Sequence, residues 1–367
     1  MKTKSLVTSI LTISLLLSAC GKQENQSTST VESNNESTRK IEVYTTIFPL
    51  EDFTRKIGGD EINVTSVYPP NVDAHTYEPT VKTMKNIADS DLFIFTGAGI
   101  EGFAEKAEET LEKEDVNILR AAEGIELLEH SDGEDHASHE DEHADEDDHA
   151  SHEDEHADEE DHASHKDEHT DEEDHASHED EHTDEEAHHH DHGDQDPHVW
   201  LDPIRSIELA ENIKDALIEI KPESKDTFEE NFTKLKADLT NLDQSFQETI
   251  NKSKTKHILV SHAAYGYWQD RYGLEQIAIA GLSPSQEPSQ QQLTEIIKES
   301  KEHHLHYVLF EQNVQSNVAK VIQEEIGAES LTLHNLESVT EEDIENNEDY
   351  FSIMERNIET LQTVLNE

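Results

Sequence analysis

An α/β architecture of two lobes, each a mostly parallel sheet flanked by helices and joined by a long rigid backbone helix, is the fold this chain predicts. Three observations carry it. Short apolar runs alternate with amphipathic stretches over residues 41–119, the pattern of a parallel sheet covered on both faces. The same alternation returns over residues 256–334. Between them Phe228, Phe232, Leu235, Leu239, Leu242, Phe246 and Ile250 recur by threes and fours, one apolar stripe along a helix of about seven turns.

In chain order, Lys2 and Lys4 precede an apolar run over residues 6–17, and Leu17-Ser18-Ala19-Cys20-Gly21 follows. Residues 1–20 read as a secretory signal too short to span a bilayer. Its lipobox makes Cys20 the acylated mature N-terminus, and two or more acyl chains anchor a protein stably. Residues 21–39 are small and polar, a flexible tether. An N-terminal lobe is expected over residues 40–223, with strands at 41–46, 62–68, 91–96 and 116–119. Helices at 48–57, 80–88 and about 103–113 separate them, punctuated by Gly58-Gly59 and Pro69-Pro70-Asn71. Asp202-Pro203 opens a helix over 204–220 that Lys221-Pro222 stops, and the linking helix follows at 224–252. The C-terminal lobe, residues 253–367, holds strands at 256–260, 276–280, 306–310 and 330–334. Its helices run to Tyr272 and over 290–303, 315–326 and 350–366.

The N-terminal lobe is interrupted by a loop over residues 130–196, made almost wholly of His, Asp and Glu. Four copies of a thirteen-residue unit start at Asp135, Asp148, Asp161 and Asp174, the first reading DHASHEDEHADED. Such a composition cannot bury a core and is expected to be disordered. Imidazole and carboxylate at this density point to metal. Within a unit the histidines fall at i, i+3 and i+7: His136, His139 and His143, then His149, His152 and His156. Helix induced by metal would put them on one face. Together with His188, His189, His190 and His192 they are expected to hold several ions weakly. The chain carries 86 acidic against 27 basic residues, a formal net charge of −59. That surface suits cations and speaks against a nucleic-acid partner. Cys20 is the single cysteine, so no intramolecular disulfide forms.

Candidate ligands for one specific site lie outside the repeat. His75 follows a strand and a proline turn, His262 ends the strand HILVS, and His198 stands where the acidic loop returns to ordered chain beside Trp200. In open parallel sheets ligands gather beyond the carboxyl ends of the strands, where side chains distant in sequence converge. Glu337, three residues past the strand SLTLH, is the expected fourth ligand of a tetrahedral site, with Glu311 as its rival. His257 reads as a surface residue, His303, His304 and His306 lie near a helix C-terminus where partial positive charge is favourable in any case, and His334 is a neighbour of the site at best. Gly97-Ala98-Gly99-Ile100-Glu101-Gly102 matches a dinucleotide fingerprint, but no well-placed acidic residue follows for a ribose. Close strand-to-helix packing is the better account of those glycines.

Taken together, these residues resemble the zinc-binding lipoproteins of bacterial ABC importers, solute-binding proteins specialised for zinc and manganese. The resemblance covers nearly all of the mature chain. It rests on Val43-Tyr44-Thr45-Thr46-Ile47-Phe48-Pro49, His75-Thr76-Tyr77-Glu78-Pro79, Asp196-Pro197-His198-Val199-Trp200-Leu201-Asp202-Pro203, Ser261-His262-Ala263-Ala264-Tyr265-Gly266-Tyr267, Gly281-Leu282-Ser283-Pro284 with Glu287-Pro288, and Leu336-Glu337-Ser338. It implies zinc in an interlobe cleft, with the family's ligands falling on His75, His198, His262 and Glu337. Zinc members carry a histidine-rich loop before the second ligand, as here; manganese members typically have a carboxylate where His262 stands. Ala74 replaces a proline common before the first histidine, and the chain ends at Glu367 without the further zinc-binding domain of some relatives.

The expected function is therefore a monomeric, non-enzymatic protein, lipid-anchored through Cys20 at the extracellular face of the membrane. It would capture Zn2+ and pass it to an ABC permease with a cytoplasmic ATPase, the histidine-rich loop collecting metal at low affinity. The alternatives are a manganese-binding homologue, a surface adhesin or a passive metal-buffering lipoprotein. A zinc hydrolase would need one coordination position left open.

Overall fold

The computed structural model describes residues 39–129, 195–313 and 316–367. The expectations for residues 1–38 and for the loop, including Cys20 and His136, His139, His143, His149, His152, His156, His188, His189, His190 and His192, lie outside the described residues.

From Lys40 onward the described residues form one compact unit built on two four-stranded parallel sheets. The first contains β1 (Ile41–Thr45), β2 (Ile62–Ser66), β3 (Leu92–Phe95) and β4 (Asn117–Arg120) in the order β2-β1-β3-β4. Helices α1 (Phe48–Gly58), α2 (Val81–Ala88) and α3 (Ala104–Leu111) connect its strands. Proline in the first turn of α1 removes a donor that would have no helical partner, and Thr80 caps α2 by accepting the Thr83 N–H. After the loop come α4 (Pro203–Ile220), capped by Asp202, and α5 (Lys225–Lys252). The second sheet holds β5 (His257–His262), β6 (Glu275–Ala280), β7 (Tyr307–Phe310) and β8 (Glu329–Thr332) in the matching order β6-β5-β7-β8. Helices α6 (Gly266–Tyr272), α7 (Gln290–Glu302) and α8 (Asn317–Ile326) link its strands, and α9 (Glu341–Glu345) and α10 (Tyr350–Val364) close the chain.

All seven stripe residues of α5 are buried. They face α1 and α4 on the side of the first sheet and α6 and α10 on the side of the second. At about 1.5–3 kcal/mol for each large apolar side chain removed from water, the stripe is a principal bond between the halves. The main core runs through both sheets without a break, from Val43 and Phe93 to Val260 and Leu309. A small second core, Leu259, Ile279, Ile296, Val308, Ala319 and Ile322, lies under α7 and α8. No described helix is long and apolar enough to cross a membrane.

Element boundaries differ from expectation chiefly at β8, which ends at Thr332 and not at His334. Past it the chain turns sharply at Leu336, whose φ of 62° is incompatible with a strand. The short helix α9 and the 3-10 turns at Gly59–Glu61, Val199–Leu201 and Pro222–Ser224 carry too few residues to show a periodicity. The glycine-rich turn after β3 wraps a carboxylate: buried Glu101 Oε1 accepts the Thr96 N–H and the hydroxyls of Thr96 and Thr46, each at 2.7 Å. Burial raises that carboxyl above its ordinary value despite these bonds. A fixed carboxylate at the centre of the turn is the opposite of a phosphate cradle. Gly97 is needed there because a Cβ would lie 2.8 Å from that of Arg120.

Candidate metal centre

In both sheets the strand order reverses between the first and third strands, so a crevice opens at the carboxyl ends of β1 and β3 and again at β5 and β7. His262 is the last residue of β5. His75 comes from the loop after β2, His198 from the segment entering α4, and Glu337 from the turn after β8. One ligand atom from each of these four lies within 4.8 Å of every other, and all four residues are buried. Glu337 Oε1 stands 3.3 Å from His75 Nε2, 3.5 Å from His198 Nε2 and 4.0 Å from His262 Nε2. The two nitrogens of His198 and His262 are 3.3 Å apart. A tetrahedron with bonds of about 2.0–2.1 Å has edges of about 3.3–3.4 Å, so most of these separations already match a single bound ion.

Three of the four are aimed by the same local device. Asp73 Oδ1 accepts the backbone N–H of His75 (2.9 Å), Asp196 Oδ1 that of His198 (2.9 Å), and Asn335 Oδ1 that of Glu337 (3.2 Å). Each is an Asx turn, in which a short side chain bonds the backbone two residues on and fixes the direction of the next side chain but one. The spacing of Asp73, Asp196 and Asn335 two residues before His75, His198 and Glu337 is a signal the sequence carries. His262 is set instead by the ladder of β5.

Carboxylates behind the imidazoles complete the arrangement. Asp196 Oδ1 lies 2.8 Å from His198 Nδ1, and Glu311 Oε1 hydrogen-bonds His262 Nδ1. A proton held at Nδ1 leaves the Nε2 lone pair facing the centre. Burial opposes charge on His198, yet the bonds and charges of Asp196 and Glu337 push its imidazole up to about 9. Burial likewise opposes charge on Glu337, and the facing imidazoles His75, His198 and His262 hold its carboxyl well below the usual range. The two shifts report the mutual attraction of imidazole and carboxylate groups across the pocket.

The halves meet over this centre through short bonds. Asn313 Nδ2 and Ser338 Oγ both donate to Val72 O at 2.7 Å, Asn71 N–H donates to Val339 O at 2.9 Å, and Ala74 N–H to Glu337 Oε2 at 3.3 Å. Trp200 Nε1 donates to Asn335 O at 2.8 Å, tying the segment of His198 to the turn of Glu337. A groove of about 520 Å3, lined by Phe48, Tyr68, Pro69, Pro70 and Ile344, runs up to Glu337.

Glu311, the rival fourth ligand, is not in the cluster; its carboxylate is turned to the far side of His262. His334 is likewise outside it, accepting the Leu336 N–H at Nδ1 (2.9 Å) with Nε2 3.4 Å from Asp343. The rings of His257 and His303 lie tilted by 32° with centroids 3.7 Å apart, His257 opening β5 at the end of the strand opposite the cluster.

Residues 43–364 match the family model described as zinc-uptake complex component A, periplasmic. The chain is 32% identical over 329 residues to the zinc-binding lipoprotein AdcA of Streptococcus pneumoniae (strain R6), a match covering 88% of this chain and 55% of that protein. It thus spans about half the length of that relative. To the high-affinity zinc uptake system protein ZnuA of Bacillus subtilis (strain 168) it is 32% identical over 351 residues, 96% of this chain and 94% of the other. Among solved structures, the Zn(II)-bound ZnuA-like domain of Streptococcus pneumoniae AdcA superposes with a TM-score of 0.65 at 30% identity, covering 90% of this chain and 100% of that one. The metal-dependent lipoprotein YcdH of Bacillus subtilis gives a TM-score of 0.63 at 29% identity, covering 89% and 99%.

Proposed function

Since the chain belongs to the zinc-uptake complex component A family, we propose that it is the extracytoplasmic zinc-binding component of a high-affinity ABC importer. It captures Zn2+ between its two sheets and delivers the ion to a permease powered by a cytoplasmic ATPase. The carrying observation is the buried centre itself, three imidazole nitrogens and one carboxylate oxygen drawn from both halves of the molecule. That donor set suits zinc better than manganese, which prefers more oxygen ligands. Four convergent, enclosed donors also suit an ion in transit better than a hydrolytic zinc, which keeps one position for water or substrate.

In this reading His75, His198, His262 and Glu337 are the ligands. Residues 40–223 and 253–367 are the lobes, and 224–252 the strut between them. The histidine-rich loop collects ions at low affinity near the cleft, and acylation at Cys20 keeps the protein on the outer face of the membrane. Titration with zinc against a chromophoric chelator, on the full chain and on a chain lacking residues 135–186, tests it. The tight site should survive the deletion while weaker binding is lost; loss of the tight site would place the transported ion in the loop and overturn the assignment. A deletion strain that grows normally under zinc starvation would count against the importer role.

A further inference from the structure

We infer that Glu311 is a positioning residue of the zinc centre, one that never touches the ion but fixes His262 and couples it to Glu337. This rests on the reading of the cluster as the zinc site. Glu311 is the first residue after β7 and is buried beside the end of β5, at the point where the strand order of the second sheet reverses. Each of its oxygens is committed. Oε1 hydrogen-bonds His262 Nδ1 and accepts the Ser261 hydroxyl at 2.8 Å, while Oε2 accepts Asn335 Nδ2 at 3.1 Å. Asn335 Oδ1 in turn accepts the backbone N–H of Glu337 (3.2 Å) and an amide N–H of Gln312 Nε2 (3.0 Å). One carboxylate therefore sets two ligands, His262 directly and Glu337 through Asn335.

The chemistry follows from donor and acceptor roles. A carboxylate only accepts, so the imidazole proton of His262 is held on Nδ1 and the Nε2 lone pair points at the centre. When a cation sits at Nε2, the Nδ1–H becomes more acidic and its bond to Glu311 strengthens. An amide in the same place breaks the network whichever way it turns. With its NH2 toward His262 it would stabilise the tautomer protonated at Nε2, which cannot bind metal. With its NH2 toward Asn335 it would oppose a donor; turning Asn335 over would then set a second donor against the Glu337 N–H.

The test compares wild type with Glu311→Gln in the full chain. Zinc affinity by chelator competition should fall about 10- to 100-fold. Cobalt(II) at saturation should keep a tetrahedral absorption spectrum in the variant, because the four ligand atoms are unchanged. Long-range 1H–15N spectra of the zinc-loaded wild type should show His262 protonated at Nδ1 and metallated at Nε2, a measurement that needs no variant to fold. Affinity within twofold of wild type, a changed cobalt coordination number, or zinc on Nδ1 of His262 would each overturn the role. A wild type that takes up no zinc overturns both this role and the reading of the cluster, whereas wild-type binding with an unaffected Glu311→Gln overturns only the former.

Discussion

At the scale of single residues, ligands and the side chains that aim them should separate by magnitude. Structural zinc sites are worth about 10–16 kcal/mol in all, so removing one of four ligands should forfeit roughly 3 kcal/mol or more. Glu337→Ala is expected to weaken zinc at least about 100-fold in a chelator competition. Asp73→Ala removes the Asx bond to the His75 N–H together with an exposed bond from the Thr76 hydroxyl, and a net hydrogen bond of about 0.5–1.5 kcal/mol for the first predicts a loss of about 2- to 10-fold. If the two variants weaken zinc equally, the loop of His75 collapses without its turn and the distinction fails. The four residues that converge were legible in the sequence because strand ends can be read from apolar runs, and parallel sheets gather functional groups there. The place of Glu311 was not. Sequence puts it just past a strand, as it does His262, but which way a carboxylate turns depends on Ser261 of β5 and on Asn335 of the turn after β8.

At the scale of elements, the turn between β8 and α9 is where local preference is overruled. Leucine at φ 62° is strained by about 1–3 kcal/mol, and nothing in Leu336 itself announces it. The strain is held by tertiary contacts. Its side chain is fully buried, its N–H bonds His334 Nδ1, and His334 is clamped to Asn357 by reciprocal bonds of 2.8 Å. Alternation in SLTLH therefore reads as strand through His334, while the fold ends it two residues sooner. Asp343 anchors this turn. Burial disfavours its charge, but hydrogen bonds from His334, Thr340 and Arg356 hold its carboxyl far below the ordinary value. A depressed folded value adds stability in full above the unfolded value of about 3.9, and that stability is lost as pH falls below it. Urea midpoints measured between pH 6 and pH 2.5 should drop more steeply for wild type than for Asp343→Asn, which is less stable at pH 6. Parallel curves would show that Asp343 contributes nothing to acid sensitivity.

At the scale of the whole molecule, the seven buried positions of α5 decide how far the halves can act apart. The periodicity of that helix was plain in the sequence, but it did not say whether one or two cores lay against it. The continuous core from the first sheet to the second answers that: the apolar stripe of α5 is buried among α1, α4, α6 and α10, while the opposite face of the helix is exposed. Two halves sharing one core should unfold together, so calorimetry on the metal-free protein should give a single transition with matching calorimetric and van't Hoff enthalpies. Leu239→Ala, which empties a fully buried position at the middle of α5, should destabilise by about 2–5 kcal/mol and lower that one transition without splitting it. Zinc bound only by the folded state at about 1,000 times its Kd adds about 4 kcal/mol, enough to raise Tm by roughly 5–8 °C for a chain of this size. Because the centre takes ligands from both halves, that rise should also appear in the whole transition. Two resolved transitions, of which only one moves with Leu239→Ala or with zinc, would mean that the halves fold separately. In that case α5 is a tether, and wide hinge opening becomes the simpler way for a buried ion to leave.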